Sequence, residues 1–144
     1  MNRIVRSSIA LLIVLSLFMT ANPVFAVETD PIEPPVIPEE YVHLKNILIG
    51  LSISSNGLAS LSSHANVSSG SSDTVYITMK LQRYSNGSWT TVKTWSGSGT
   101  RACDVMGDWY VYHGYSYRNY TTVTVYTSSG SFVESVSVSK TQYY

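Results

Sequence analysis

Aromatic side chains are concentrated between residues 109 and 120, where six of the twelve residues are Trp or Tyr. Flat aromatic rings can stack against sugar rings, and Trp and Tyr add a polar group that can hydrogen-bond to a ligand. If this stretch is extended, alternate side chains share a face, and two upstream tyrosines could extend the same platform. We therefore predict a surface that binds a glycan or another cell-surface polymer, formed by Trp109, Tyr110, Tyr112, Tyr76 and Tyr84. The alternative is that the rings stabilise the sheet through cross-strand pairs, each contributing roughly 0.2–1 kcal/mol.

Side chains able to do acid–base chemistry are sparse. Only three carboxylates follow Asp73, namely Asp104, Asp108 and Glu134. A glycosidase needs two such groups at a defined separation across a cleft, which a small domain with short hairpins rarely supplies. The three histidines have neither H-x-H nor HExxH spacing, so no metal site is indicated. We predict no catalytic residues, no metal and no cofactor, and a small hydrolase remains the third-ranked function.

Cys103 is the only cysteine, which excludes an intramolecular disulfide. With His113 it makes the one conceivable pair of nucleophile and base. The functional interpretations of Cys103 are an intermolecular bridge or a reactive thiol. A free cysteine is more often a small, half-buried apolar residue, and we expect that role for Cys103.

The first residues of the chain have the composition of a cleavable export signal. Arg3 and Arg6 precede an apolar run over residues 9–19, and Val24 and Ala26 place small residues at the −3 and −1 positions of a processing site. We predict a signal peptide over residues 1–26, secretion to the outside of the cell, and no membrane attachment after cleavage.

Two regions are expected after the signal. Residues 27–40 are acidic and contain four prolines, which predicts a disordered leader. Residues 41–144 contain no proline and form the predicted β-domain, with seven basic and four acidic residues. A net charge of +3 is far below that of a typical nucleic-acid binder, so no nucleic-acid partner is expected. We also expect a monomer.

The clearest strand lies over residues 74–84, where Val75, Ile77, Met79 and Leu81 alternate with more polar side chains. The dipeptide at 86–87, Asn-Gly, favours a tight hairpin into a strand over residues 88–95. The same pattern predicts five further strands, over residues 44–54, 58–67, 105–112, 115–127 and 132–139. Seven short strands predict an all-β fold, a seven-stranded antiparallel two-sheet sandwich of immunoglobulin or fibronectin III type.

Glu134 is the exception to the pattern. It shares strand parity with Phe132, Val136 and Val138, and a lone buried carboxylate is costly without a partner. A bulge near Gly130, or an ion pair with Arg118, would resolve the conflict, but exposure at a sheet edge is the simplest expectation.

Two runs resemble a known group of proteins. LQRYSNGSWTTVKTW (residues 81–95) and GYSYRNYTTVTVYTSSGSFVES (residues 114–135) are similar to hairpins in small exported proteins of Gram-positive bacteria that carry a domain of unknown function. That resemblance implies a fold and an export route but no chemistry. The second run is also similar to the closing strands of fibronectin type III domains, which implies that Tyr115 or Tyr117 hydrogen-bonds back to the backbone.

These observations favour a non-catalytic binding or interaction module over the alternatives. The main alternative is a secreted effector or antibacterial protein that acts on a target cell.

Overall fold

The computed structural model describes residues 43–68 and 71–144. These residues form seven β-strands: β1 (Leu44–Ile53), β2 (Leu58–Val67), β3 (Thr74–Ser85), β4 (Ser88–Thr100), β5 (Ala102–Tyr110), β6 (Ser116–Tyr126) and β7 (Phe132–Tyr143). Within this described part, no helix has the length and apolar character needed to cross a bilayer. The signal peptide predicted for residues 1–26 and the leader predicted for 27–40 lie outside it, as do the first two residues of the domain predicted for 41–144.

The strands form two antiparallel sheets. One sheet has the order β1-β2-β5 and the other has the order β4-β3-β6-β7. One core cluster contains side chains from both sheets, so the sheets pack face to face. The predicted seven-stranded antiparallel sandwich is confirmed.

Alternation within β3 places four of its side chains in the core. Val75, Ile77, Met79 and Leu81 are each no more than 1% exposed, as predicted. Each such side chain contributes roughly 1.5–3 kcal/mol by leaving water. The opposite face of β3 is therefore free to carry polar and aromatic side chains.

Strand β4 is longer than predicted, and it passes almost directly into β5. Its last turn-like residues, 96–100, remain paired with β3, and Arg101 then takes a left-handed conformation with φ of 71°. The N–H of Arg101 donates to the Asp73 carbonyl at 2.8 Å, and its own carbonyl accepts from Val67 N–H at 3.0 Å. This single residue moves the chain from the four-stranded sheet to the three-stranded sheet.

The conflict at Glu134 is resolved by a bulge and by the backbone of β1. Val125 pairs with Glu134 while Tyr126 pairs with Phe132, which leaves Val133 as the extra residue. Phe132 is therefore 62% exposed, whereas Glu134 is half-buried. The Glu134 carboxylate accepts the N–H groups of His43 at 3.1 Å and Leu44 at 2.6 Å. The expected edge exposure of Glu134 is wrong, and its carboxylate binds the backbone amides of His43 and Leu44 rather than Arg118.

Tyr117 makes the backbone contact that the fibronectin resemblance implied. Its side chain is 1% exposed. The Tyr117 hydroxyl donates to the Tyr112 carbonyl at 3.0 Å and accepts from the Tyr112 N–H at 3.1 Å. The start of β6 is thereby fixed to the segment that follows β5.

Asp73 makes the stability of the fold depend on pH. The Asp73 carboxylate contacts His43 Nδ1, and the residue as a whole is 7% exposed. The Ser71 side-chain hydrogen bond, followed by the contact with His43, holds the pKa of Asp73 below its ordinary value of 3.8. A carboxyl group whose pKa is lowered by folding stabilises the protein above the ordinary pKa, and that stabilisation is lost as the pH falls through the lowered value.

We predict that Asp73→Asn lowers the melting temperature at pH 5 and that its deficit against the wild-type protein narrows as the pH falls to 3. The reason is that acid also neutralises the wild-type carboxylate. Thermal unfolding followed by circular dichroism checks this, with the exposed Asp108→Asn as the matched control. A deficit of Asp73→Asn that stays constant from pH 5 to 3 would contradict it.

Candidate functional site

The structure divides the five predicted binding residues between different surfaces. Tyr76 and Tyr84 lie on the outer face of the four-stranded sheet, 47% and 44% exposed. Tyr110 is 67% exposed on the outer face of the three-stranded sheet, and Trp109 has the opposite parity on the same strand. Tyr112 lies beyond the end of β5 and is 76% exposed. The structure therefore brings Tyr76 and Tyr84 to one face and does not bring the other three to it.

The aromatic stretch is divided because β5 and β6 belong to different sheets. Tyr117 is buried, Tyr115 packs against the core, and Tyr120 lies on the face that carries Tyr76 and Tyr84. Trp109 stacks under the Lys93 ammonium, 4.6 Å from the ring centroid. Consecutive aromatic residues in the sequence thus serve the core and several separate surfaces.

The outer face of the four-stranded sheet is the most regular surface of the domain, and we call it the four-stranded outer face. Cross-strand pairing arranges its side chains in rows, and most of these side chains carry a hydroxyl group. The Thr122 and Ser137 hydroxyls are 2.8 Å apart, and those of Thr124 and Ser135 are 3.1 Å apart. The face consists of Thr74, Tyr76, Thr78, Lys80, Gln82 and Tyr84 on β3, Trp89, Thr91, Thr94, Ser96, Ser98 and Thr100 on β4, Arg118, Tyr120, Thr122, Thr124 and Tyr126 on β6, and Phe132, Ser135, Ser137, Ser139, Thr141 and Tyr143 on β7.

Aromatic rings pack against one another at one end of this face, which we call the Tyr126 end. Tyr126 lies edge-on to Tyr76 at 5.4 Å between ring centroids and edge-on to Phe132 at 6.0 Å. A depression of about 590 Å³ lies beside these rings and is bordered by the loop at residues 127–130. The Tyr126 end offers exposed rings next to hydroxyl groups.

The opposite end, the Arg118 end, combines aromatic rings with a cation. The Arg118 guanidinium carbon lies 4.3 Å from the Trp89 ring centroid and 4.9 Å from that of Tyr120. Arg118 Nε donates to Gln82 Oε1 at 2.7 Å, and Gln82 Nε2 donates to Thr91 Oγ1 at 3.1 Å. Cation–π contacts and a hydrogen bond therefore fix the guanidinium in one orientation.

Charge is distributed unequally between the two outer faces. The four-stranded outer face contains Lys80 and Arg118 and no carboxylate. Asp104 and Asp108 lie on the outer face of the other sheet, where Asp104 contacts His64 Nδ1 at 2.8 Å. The four-stranded outer face is thus the more positive of the two.

The potential catalytic groups do not converge. Asp104 and Asp108 are four residues apart on one straight strand, which separates them by about 13 Å. That exceeds the separation of roughly 5–9.5 Å used by glycosidase pairs. Glu134 is on the other sheet and is committed to the backbone of β1.

Cys103 and His113 are likewise far apart. Cys103 is near the start of β5 and His113 is beyond its end, so the intervening strand separates them by about 20 Å or more. Cys103 is 4% exposed, and its burial, followed by the nearby charge of Asp104, raises the pKa of the thiol. The His113 ring stacks on Tyr144 at 3.7 Å between centroids. Within residues 43–68 and 71–144, no three His, Cys, Asp or Glu side chains cluster as a metal site would require.

Arg118 and the two rings that contact it, Trp89 and Tyr120, were not among the predicted site residues. Trp89 could have been identified, because the Asn-Gly turn sets Ser85 opposite Ser88 and hence Tyr84 opposite Trp89. Arg118 and Tyr120 depend on the pairing of β3 with β6, which are far apart in sequence. No local signal specifies that pairing.

Comparison with known proteins assigns no family to the chain. Neither a scan against protein-family models nor a search of curated proteins found a match. The surface must therefore be interpreted from its own chemistry, which is a regular array of hydroxyl groups with aromatic rings at both ends and a fixed cation at one of them.

Proposed function

We propose that this chain is an exported, non-catalytic binding module that uses the four-stranded outer face to contact a glycan or another surface polymer. The observation that carries the proposal is the Arg118 end, where the Trp89 and Tyr120 rings contact the guanidinium and Tyr84 packs against Trp89. Aromatic rings supply stacking surfaces for sugar rings, and a few well-placed polar groups supply orientation. The hydroxyl rows that continue from this end would let an extended polymer follow the face.

The form of the surface favours a polymer over a small substrate. The two ends of the face are separated along β3 by the ten residue intervals between Thr74 and Tyr84, about 33 Å. Rings at both ends could therefore contact different units of one chain. Because the proposed export would place the protein outside the cell, and because two hairpins resemble those of exported Gram-positive proteins, cell-envelope polysaccharides are the first class to test.

The experiment is a binding titration of the mature protein against cell-wall and host polysaccharides, with affinity electrophoresis as the readout. We expect Trp89→Ala to weaken binding by about 5-fold, because the loss of one stacked ring is worth on the order of 1 kcal/mol. The matched control is Trp109→Ala, which removes a comparably sized ring outside the four-stranded outer face.

Trp109→Ala should bind as the wild-type protein does. The proposal is overturned if the wild-type protein binds none of the polysaccharides, or if Trp109→Ala loses as much affinity as Trp89→Ala. A cross-strand ring pair contributes only a few tenths to about 1 kcal/mol to stability, so both variants should remain folded. Circular dichroism of each variant verifies this.

A further inference from the structure

The hydrogen bonding and charge pairing of Arg118 indicate which kind of polymer the surface binds. Its only hydrogen bond among the described residues goes to the neutral amide oxygen of Gln82, at 2.7 Å. The ion pairs within residues 43–68 and 71–144 are His43–Asp73 and His64–Asp104, so no carboxylate in that part of the chain neutralises Arg118. The guanidinium has five N–H donors in a planar fork, and Nε uses one of them.

A second cation is close to the first. Lys80 pairs with Tyr120 across β3 and β6, and Gln82 pairs with Arg118 in the next outward position. Lys80 and Arg118 are therefore diagonal neighbours, with Cα atoms about 7–8 Å apart. The Tyr120 ring lies next to both residues, since Arg118 stacks on it at 4.9 Å.

The contacts of Arg118 preorganise its guanidinium for binding a ligand. Stacking between Trp89 and Tyr120 restricts the plane of the guanidinium, and the bond from Gln82 to Thr91 restrains the amide that holds it. A side chain fixed in this way loses little freedom when a ligand arrives. Arginine in a fixed plane favours planar or tetrahedral anions, which can accept two parallel hydrogen bonds.

We infer that the ligand of the four-stranded outer face is an anionic glycan, whose carboxylate or phosphate group binds Arg118 while an adjacent sugar ring stacks on Trp89. This inference rests on the proposed function and specifies its ligand class. Lys80 would contact the next anionic group along the polymer. Uronic-acid polymers and polyol-phosphate polymers share the required chemistry.

The test compares three probes with the mature wild-type protein: polygalacturonate, the same polymer after reduction of its carboxyl groups, and a glycerol-phosphate polymer. We expect at least one anionic probe to bind at least 10-fold more tightly than the reduced polymer, with an affinity that falls as salt increases. Binding of polygalacturonate alone assigns a carboxylate, and binding of the glycerol-phosphate polymer alone assigns a phosphate.

Substitutions then identify the residue responsible. Arg118→Gln should lose about 10-fold in affinity for the anionic probe and clearly less for the reduced polymer, which has no anionic group for the guanidinium to bind. Arg118→Lys, which keeps the charge without the planar fork, should retain intermediate affinity. Lys45→Gln removes an exposed cation outside this face and should bind as the wild-type protein does.

Equal, salt-independent binding of the acidic and reduced polymers would overturn the inference while leaving the proposed function standing. An equal loss in Arg118→Gln and Lys45→Gln would also overturn it, because binding would then follow total charge rather than this site. If the wild-type protein binds neither these probes nor any neutral polysaccharide, the proposed function itself fails.

Discussion

Replacing Asn119 with alanine should lower the free energy of unfolding by about 3–5 kcal/mol, because each buried polar group left without a partner costs about 1–3 kcal/mol. Asn119 is on β6, is 0% exposed, and contacts the backbone of the opposite sheet. Its amide nitrogen donates to the Gly50 carbonyl at 2.9 Å and to the Ser62 carbonyl at 3.0 Å.

The substitution would also disturb the hydroxyl groups beside Asn119. Thr121 Oγ1 donates to Asn119 Oδ1 at 2.8 Å and lies 2.6 Å from Ser63 Oγ. These buried polar side chains thus form one network that links the two sheets through the middle of an otherwise apolar core. Alanine removes the group on which both halves of the network depend, and it leaves a cavity as well.

Urea unfolding followed by tryptophan fluorescence measures this effect. The matched control is Thr122→Val, which removes a hydroxyl from the outward side of the same strand and should change stability by less than about 0.5 kcal/mol. A loss below about 1 kcal/mol in Asn119→Ala would show that the network is not a major source of stability.

The substitution Gly99→Ala is expected to cost about 3 kcal/mol or more. A Cβ atom at Gly99 would lie 2.1 Å from the Ala102 carbonyl oxygen and 3.3 Å from its carbon. Both atoms belong to the backbone at the passage between the sheets, so the clash cannot be relieved by rotating a side chain. Overpacking usually costs about 1–3 kcal/mol, and a forced backbone shift next to the left-handed Arg101 adds to that.

Ser98→Ala is the control for Gly99→Ala, since Ser98 is the preceding residue and its side chain is exposed. It should unfold within about 0.5 kcal/mol of the wild-type protein in the same urea titration. If Gly99→Ala had the same free energy of unfolding as the wild-type protein, β4 and β5 would be able to separate at this point without loss of stability.

Local signals in the sequence were sufficient for most of the strands. The alternation in β3 correctly predicts its buried side, and the Asn-Gly turn correctly predicts the hairpin between β3 and β4, in which Ser85 lies opposite Ser88. Both signals act over a few residues, so they do not depend on the rest of the fold. The fold class follows from the number and spacing of such strands.

The division of strands between sheets could not be predicted in this way. The Gly- and Ser-rich residues 96–100 resemble a turn, yet they continue β4 because close backbone packing requires small residues there. The five predicted binding residues are consequently divided between surfaces, because β5 lies in the other sheet. Arg118 and Tyr120 share a face with Tyr84 and Trp89 only through the pairing of β3 with β6. The partners of Glu134 are equally distant, because the His43 amide lies 91 residues away along the chain.

The burial of Cys103 has a consequence for the proposed export of the protein. Mixed-disulfide formation requires an accessible thiolate, and here the sulfur is shielded while its ionisation is disfavoured. In the folded protein, Cys103 would therefore not form mixed disulfides with other thiols in an oxidising compartment. Only molecules that have not yet closed the sandwich would expose this thiol to covalent dimerisation.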